Sequence, residues 1–156
     1  MTQPSRITDE MRKSIGVTTG IRTVEVDEKW IARFAEVLED SNPLWTDEES
    51  AKTGPYGGII APPSFIYGFH ISGKPQGGGG QVRRFTVPSQ PIDAGGDWEF
   101  FEPVRPGDVI TLTTKIADIY ERPGSSGTLL FIINELDFRN QKGQFVARYH
   151  MTHIYR

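Results

Sequence analysis

From Asp97 onward the chain reads with a period of two. The runs DWEFFEPV, DVITLTTKIADIYE, TLLFIINELDF and QFVARYHMTHIYR are rich in β-branched and aromatic residues, and RPG, RPGSSG and RNQKG between them are turn sequences. Alternation at this period sends successive side chains to opposite faces of a strand, so each run buries one face against something else. The pattern predicts three consecutive hairpins, an antiparallel meander whose strands are long enough to curl around one helix.

Upstream the period changes. In VDEKWIARFAEVLED, the residues Trp30, Ile31, Phe34, Ala35 and Leu38 share one helical face, and Asp27 and Glu28 fall in the first turn, where carboxylates suit the dipole. Asn42-Pro43 stops that helix. Thr46 and Glu49 have the spacing of a capping box, which predicts a second, short helix. TGPYGGIIAPP, with three glycines and three prolines in eleven residues, predicts extended or turning backbone. Pro62-Pro63 then suit a first helical turn, and the apolar SFIYGFHIS reads as a buried core helix. KPQGGGG, 74 to 80, reads as a flexible loop; a phosphate cradle would need a strand before it and a capped helix after it, and VRRFTVPSQPI is neither. The order of elements predicts an α+β fold in one domain, residues 1–156, with residues 1–20 as an N-terminal extension.

Bulk properties remove several functions. A chain of 156 residues is one domain and buries about 70 % of its unfolded surface. With 17 basic and 20 acidic side chains it carries a net charge of −3. Arg83-Arg84 is too short a basic run for nucleic acid, so no nucleic-acid partner is expected. The absence of cysteine excludes thiolate metal sites, cysteine nucleophiles and disulfides, and suits a reducing compartment. MTQPSRITDEMRKSIG lacks an apolar signal core, and no window approaches a membrane span, so a cytoplasmic protein without a membrane partner is expected.

His150 and His153 lie three apart on a predicted strand and should face opposite ways, so no metal site is expected from them. His70 lies inside the apolar segment with no acid spaced to orient it, which favours a core or interface histidine over a general base. GxSxG is absent, which sets aside a nucleophile-elbow triad. Asp40 stands at a helix C-terminus, where the dipole opposes a carboxylate. The residues alone favour a solvated or turn-forming acid there over a catalytic one.

Asp40-Ser41-Asn42-Pro43-Leu44, followed by the acidic capping segment, a Gly-rich stretch and Ile60-Ala61-Pro62-Pro63, resembles the MaoC-like hydratase/dehydratase family of the hot-dog fold. GGIIAPPSF, EFFEPVRPGDVITLTTKIADIYER and NQKGQFVARYHMTHIYR are similar to its N-terminal, FAS1-like dehydratase branch. The likeness runs from about residue 20 to residue 156, and its specificity lies in the combination, since D-x-N-P alone is weak. It implies an antiparallel curved sheet wrapped around a central helix. Active members carry D-x-N-P-hydrophobic-His, whose Asp and His act as acid and base while the Asn holds them. They also carry Ala-His-Gly, whose glycine N–H binds the thioester oxygen.

The family's catalytic positions here are Asp40 and Asn42. The histidine position is Trp45, and the His-Gly pair is Pro62-Pro63. An indole has one N–H donor and does not titrate near neutrality, and proline has no N–H. Losing an oxyanion donor costs about 10²–10³ in rate and losing a general base about 10²–10⁴. The resemblance therefore implies a non-catalytic, pocket-forming subunit of a heteromeric enoyl-thioester hydratase or 3-hydroxyacyl-thioester dehydratase, a hydro-lyase only as a complex. Its ligand would be an acyl-CoA or acyl-carrier thioester, held by Gly57, Gly58, Ile60, Pro63 and Ser64. The Gly-rich loop and residues 64–71 would border the acyl chain. Its partner would be a second hot-dog subunit keeping the Asp/His pair, and no cofactor or metal is implied. Two rivals stay open: a homodimer active on thioesters through Asp40 and His70, and an acyl-CoA or lipid-like binding module without turnover.

Overall fold

The computed structural model describes residues 5–68, 85–87, 89–125 and 127–156. In chain order the elements are α1 (Asp9–Ser14), β1 (Thr18–Glu25), α2 (Glu28–Val37), α3 (Pro43–Thr46), α4 (Glu48–Thr53), a 3-10 turn (Pro63–Ile66), β2 (Ile92–Phe100), β3 (Val109–Gly124), β4 (Gly127–Arg139) and β5 (Phe145–Tyr155). The strands form one five-stranded sheet in the order β1-β3-β4-β5-β2, with every neighbouring pair antiparallel.

The meander is present over β3, β4 and β5, but β2 is not its first member. β2 crosses to the far edge and pairs with β5, from Ile92 opposite Ile154 to Phe100 opposite Ala147, and β1 takes the place beside β3. The expected hairpin at RPG fails because the backbone there bonds elsewhere. Gly107 donates to the Val26 carbonyl and Val26 to the Asp108 carbonyl, each at 2.8 Å, while an Asp108 carboxylate oxygen accepts the Arg105 amide at 2.8 Å. RPG thus starts β3 beside the end of β1. Periodicity identified the strand and left its neighbour undetermined.

β2 hugs β5 because of one glycine. A Cβ on Gly96 would stand 2.0 Å from the His150 carbonyl oxygen, closer than any side chain tolerates, and Gly95 at φ +80° forms the bulge beside it.

The inward sheet face carries two apolar clusters. One joins Ile110, Leu112, Leu136, Phe138 and Tyr149 to Ile31 of α2 and to Phe65 and Ile66 of the 3-10 turn. The other joins Ile116, Ile119, Leu130, Ile132 and Tyr155 to Met11 of α1. Of residues 1–20, expected as an extension, the described ones, 5–20, contribute α1, a core methionine and the start of β1. The buried polar residues Thr114 and Asn134 also lie on these strands.

On α2, Ile31 and Ala35 are buried, whereas Trp30 is 50 % and Leu38 48 % exposed, so the predicted apolar face is wider than this chain covers. The second helix is capped one residue later than the Thr46/Glu49 spacing predicts. Asp47 Oδ1 accepts the Ser50 amide at 2.8 Å, and the Thr46 hydroxyl donates instead to the Asn42 carbonyl at 2.9 Å. A carboxylate in reach of the free amides outcompetes a hydroxyl already bonded backward.

The predicted core helix begins at Pro63 as the 3-10 turn and is helical at Tyr67 and Gly68. Its remainder, with His70, the loop 74–80 and Arg83-Arg84, lies outside the described residues.

Candidate functional site

The Asp40 turn is built from the end of α2. Glu39 adopts φ +53°, its amide bonds the Glu36 carbonyl and the Asp40 amide bonds the Ala35 carbonyl, each at 3.0 Å, which is the Schellman pairing. Asp40 Oδ1 then accepts the Asn42 amide at 3.1 Å, and Asn42 Oδ1 accepts the Leu44 amide at 3.0 Å as the N-cap of α3. Asp47 caps α4 next, and the Ser50 amide followed by the Ser50 hydroxyl holds its carboxyl below the usual carboxylate range. Three consecutive side-chain acceptors in this segment are therefore engaged by the local backbone.

Trp45 sits on α3, half-buried, and packs against the first apolar cluster. Its Nε1 is buried with no acceptor among the described residues. At the other departure, the first amide after the two prolines that bonds the turn is that of Phe65, donating to the Pro62 carbonyl at 2.9 Å.

Three cavities surround this region. One of about 260 Å³ lies between Ile60, Pro63, Ile66, Phe101 and Val104. A second, about 380 Å³, is bordered by Gly57, Gly58, Lys52, Arg105 and the acids Glu28 and Glu48. The third, about 590 Å³, is lined by Phe34, Leu38, Pro63, Ser64, Trp98 and Phe100 among others. The predicted substrate positions thus divide, with Gly57 and Gly58 at the second cavity, Ile60 at the first, Ser64 at the third and Pro63 between the first and third. Asp40 and Asn42 line none of these three.

Sequence reasoning missed the aromatic wall of the third cavity. Trp98 stacks on Tyr149 with centroids 4.3 Å apart, lies 5.6 Å from Phe100, and meets Tyr67 edge-on at 6.1 Å. The alternation in DWEFF puts Trp98 and Phe100 on one face, but the stack exists only because β2 lies beside β5. Burial, and then the negative charges of Asp93 and Asp97, hold the Tyr149 phenol above its ordinary pKa.

Part of the outward face of the sheet carries a charged cluster. Glu135 lies 2.6 Å from Lys115 Nζ and 3.1 Å from His150 Nε2, and Arg148 Nε lies 2.7 Å from Asp137. Burial alone would raise the Glu135 pKa; hydrogen bonds from Lys115 and His150, with the charge of Arg148, outweigh it and bring the carboxyl below the usual range. His153 projects to the other side, 3.3 Å from the Asn134 amide, so the two histidines face apart as their spacing predicts. Among the described residues no three His, Asp or Glu side chains converge on a metal position, and no helix is long and apolar enough to cross a membrane.

The sequence model of the FAS1-like dehydratase domain region matches residues 13–149. A UPF0336 protein of Streptomyces avermitilis is 35 % identical over 102 residues, 65 % of this chain and 67 % of that one. A probable enoyl-CoA hydratase alpha subunit of Thermomonospora curvata is 25 % identical over 129 residues, 75 % of this chain but 40 % of that longer one. The crystal structure of a MaoC-like dehydratase from Rhodospirillum rubrum superposes with a TM-score of 0.68 at 25 % identity, covering 90 % of each chain. Sequence and architecture agree, and the chain belongs to the FAS1-like dehydratase domain family, with the hot-dog fold of MaoC-like dehydratases.

Proposed function

We propose that this chain is the pocket-forming, non-catalytic subunit of a heteromeric enoyl-thioester hydratase or 3-hydroxyacyl-thioester dehydratase. Hydration adds a hydroxyl to the β carbon and a proton to the α carbon, so some group must take a proton from water and a proton must be delivered. The observation that carries the reading is at α3. Where active members have histidine, Trp45 packs against the core, and Asp40 Oδ1 accepts a backbone amide beside it. An indole neither takes nor delivers a proton near neutral pH, so Asp40 is left without the imidazole partner of the Asp/His pair. Pro63 adds a second loss, since it offers no N–H to a thioester oxygen.

In this reading Gly57, Gly58, Ile60, Pro63 and Ser64 border the thioester arm and the start of the acyl chain, and a second hot-dog subunit brings the Asp/His pair. The relative named as an alpha subunit supports a divided enzyme. The test is crotonyl-CoA hydration, followed by loss of enone absorbance, with the purified chain alone and then with a second hot-dog subunit that keeps the Asp/His pair, sought first in the product of the neighbouring gene. Turnover is expected only in the mixture, and turnover by the chain alone that Asp40→Asn abolishes overturns the proposal.

A further inference from the structure

The second cavity carries donors that the fold leaves unused. The segment from Tyr56 to Ala61 beside it is pinned at both ends. Arg105 Nη2 donates to the Tyr56 carbonyl at 2.9 Å, the Ile60 amide to the Leu44 carbonyl at 3.1 Å and the Ala61 amide to the Val104 carbonyl at 2.8 Å. Between these pins the Gly57 amide turns back to the Gly54 carbonyl at 3.2 Å, while the amides of Gly58 and Ile59 bond no acceptor among the described residues. Both residues are half-buried and border the cavity. A half-buried amide without a protein acceptor is left to water or a ligand. Two in succession, following a glycine at φ +67°, supply the donors of a backbone anion site.

The charges on this cavity narrow the ligand. The Arg105 guanidinium bonds the Tyr56 carbonyl and has no carboxylate partner among the described residues. Its backbone is held firmly, since the buried Asp108 accepts the Arg105 amide at 2.8 Å and the Gln141 side-chain amide at 3.1 Å. Lys52 is a second cation, already shared between Glu48 at 3.0 Å and Glu49 at 3.7 Å. Glu28 also borders the cavity and opposes an anion. Binding there depends on donors within reach of the ligand rather than on a strong positive field. A guanidinium beside two free amides matches the several oxygens of a phosphate, whereas one neutral carbonyl would use only part of that set. The rim is in solvent, with the Lys52 and Glu48 side chains 54 % and 66 % exposed, so a phosphate keeps part of its hydration.

The neighbouring cavities say what the phosphate would be attached to. Ile60 lines the first cavity, and Pro63 lines the first and the third. From Gly58 to Ser64 is six residues, at most about 20 Å of extended chain, within reach of a pantetheine arm.

We infer that Gly58, Ile59 and Arg105 form a phosphate subsite, which holds the phosphate at the head of a phosphopantetheine arm while the arm runs along Ile60 toward Pro63 and Ser64. The inference rests on the carrier-thioester reading above and names the part of the carrier that this chain grips.

The test titrates phosphopantetheine, pantetheine and coenzyme A into the isotope-labelled chain and follows its amide chemical shifts. Phosphopantetheine is expected to bind at least about tenfold more tightly than pantetheine, with its largest phosphate-dependent shifts at the Gly58 and Ile59 amides. Arg105→Ala should remove most of that preference, and Glu28→Gln should widen it about threefold by taking a carboxylate from the same cavity. Coenzyme A binding as tightly as phosphopantetheine supports the subsite with a carrier protein as the source of the arm. A further gain of about tenfold supports it with coenzyme A as the source. Equal binding of phosphopantetheine and pantetheine, including no binding of either, overturns the inference, as do phosphate-dependent shifts confined to other residues. A preference that a folded Arg105→Ala leaves unchanged overturns it too. Should that variant not fold, a preference that Glu28→Gln fails to widen does the same. No readout here involves turnover. A phosphate preference without turnover in any mixture would sink the functional proposal alone, and turnover by the complex without the preference would sink the subsite alone.

Discussion

The turn at residues 39–47 and the edge strand β2 use similar residues in opposite ways. In the turn, Asp40, Asn42 and Asp47 each accept a backbone amide and the aromatic Trp45 faces the core. Along β2, Asp97 and Glu99 lie on an exposed strand and the aromatic Phe100 is half exposed beside a cavity. The first arrangement satisfies its polar side chains with the local backbone, and the second leaves aromatic rings half exposed beside a cavity.

The largest expected effect falls on β2. Gly96→Ala drives a methyl into the His150 carbonyl. It should detach β2 and lower the unfolding free energy by several kcal/mol, roughly 3, in urea titration. At the turn, Trp45→Ala should cost about 2 kcal/mol through lost packing. Trp45→Phe should be close to neutral, because it removes a buried donor that has no acceptor among the described residues while keeping a ring in place. A large loss with phenylalanine would mean that the indole N–H is in use.

On the outward face, Glu135→Gln should cost about 1 kcal/mol at neutral pH. The sign follows from a folded pKa below the ordinary 4.5. The folded protein then holds this proton less tightly than the unfolded chain, so the contribution is full above about 4.5 and is lost as pH falls through the lower folded value. The variant's stability should converge on that of the parent in acid. The smallest effect is at the turn's first residue. Glu39→Gly relieves a left-handed backbone at φ +53° and should stabilise the fold by about 0.5 kcal/mol after the glycine's extra unfolded freedom is counted.

Much of this was legible in residues alone. The meander over β3, β4 and β5 follows from period two, and α2 from the spacing of Ile31, Phe34 and Ala35. β1 was not legible because TTGIRTVE mixes threonine, glycine and arginine on a half-covered edge, where little apolar pattern is required. The partner of β2 was not legible either, since strand order depends on contacts distant in sequence. The aromatic stack of Trp98 on Tyr149 depends on that order and was lost with it. D-x-N-P drew attention to the turn, and the structure adds that Asp40 and Asn42 accept backbone amides there.

The central claim is that Trp45 and Pro63 leave this chain without a working proton shuttle or oxyanion donor of its own. The most direct measurement is crotonyl-CoA hydration by the purified chain and its Asp40→Asn variant, each assayed with and without a second hot-dog subunit that keeps the Asp/His pair. The account predicts no turnover by either protein alone and equal turnover by both in the complex. Turnover by the unaccompanied chain that disappears with Asp40→Asn would contradict it.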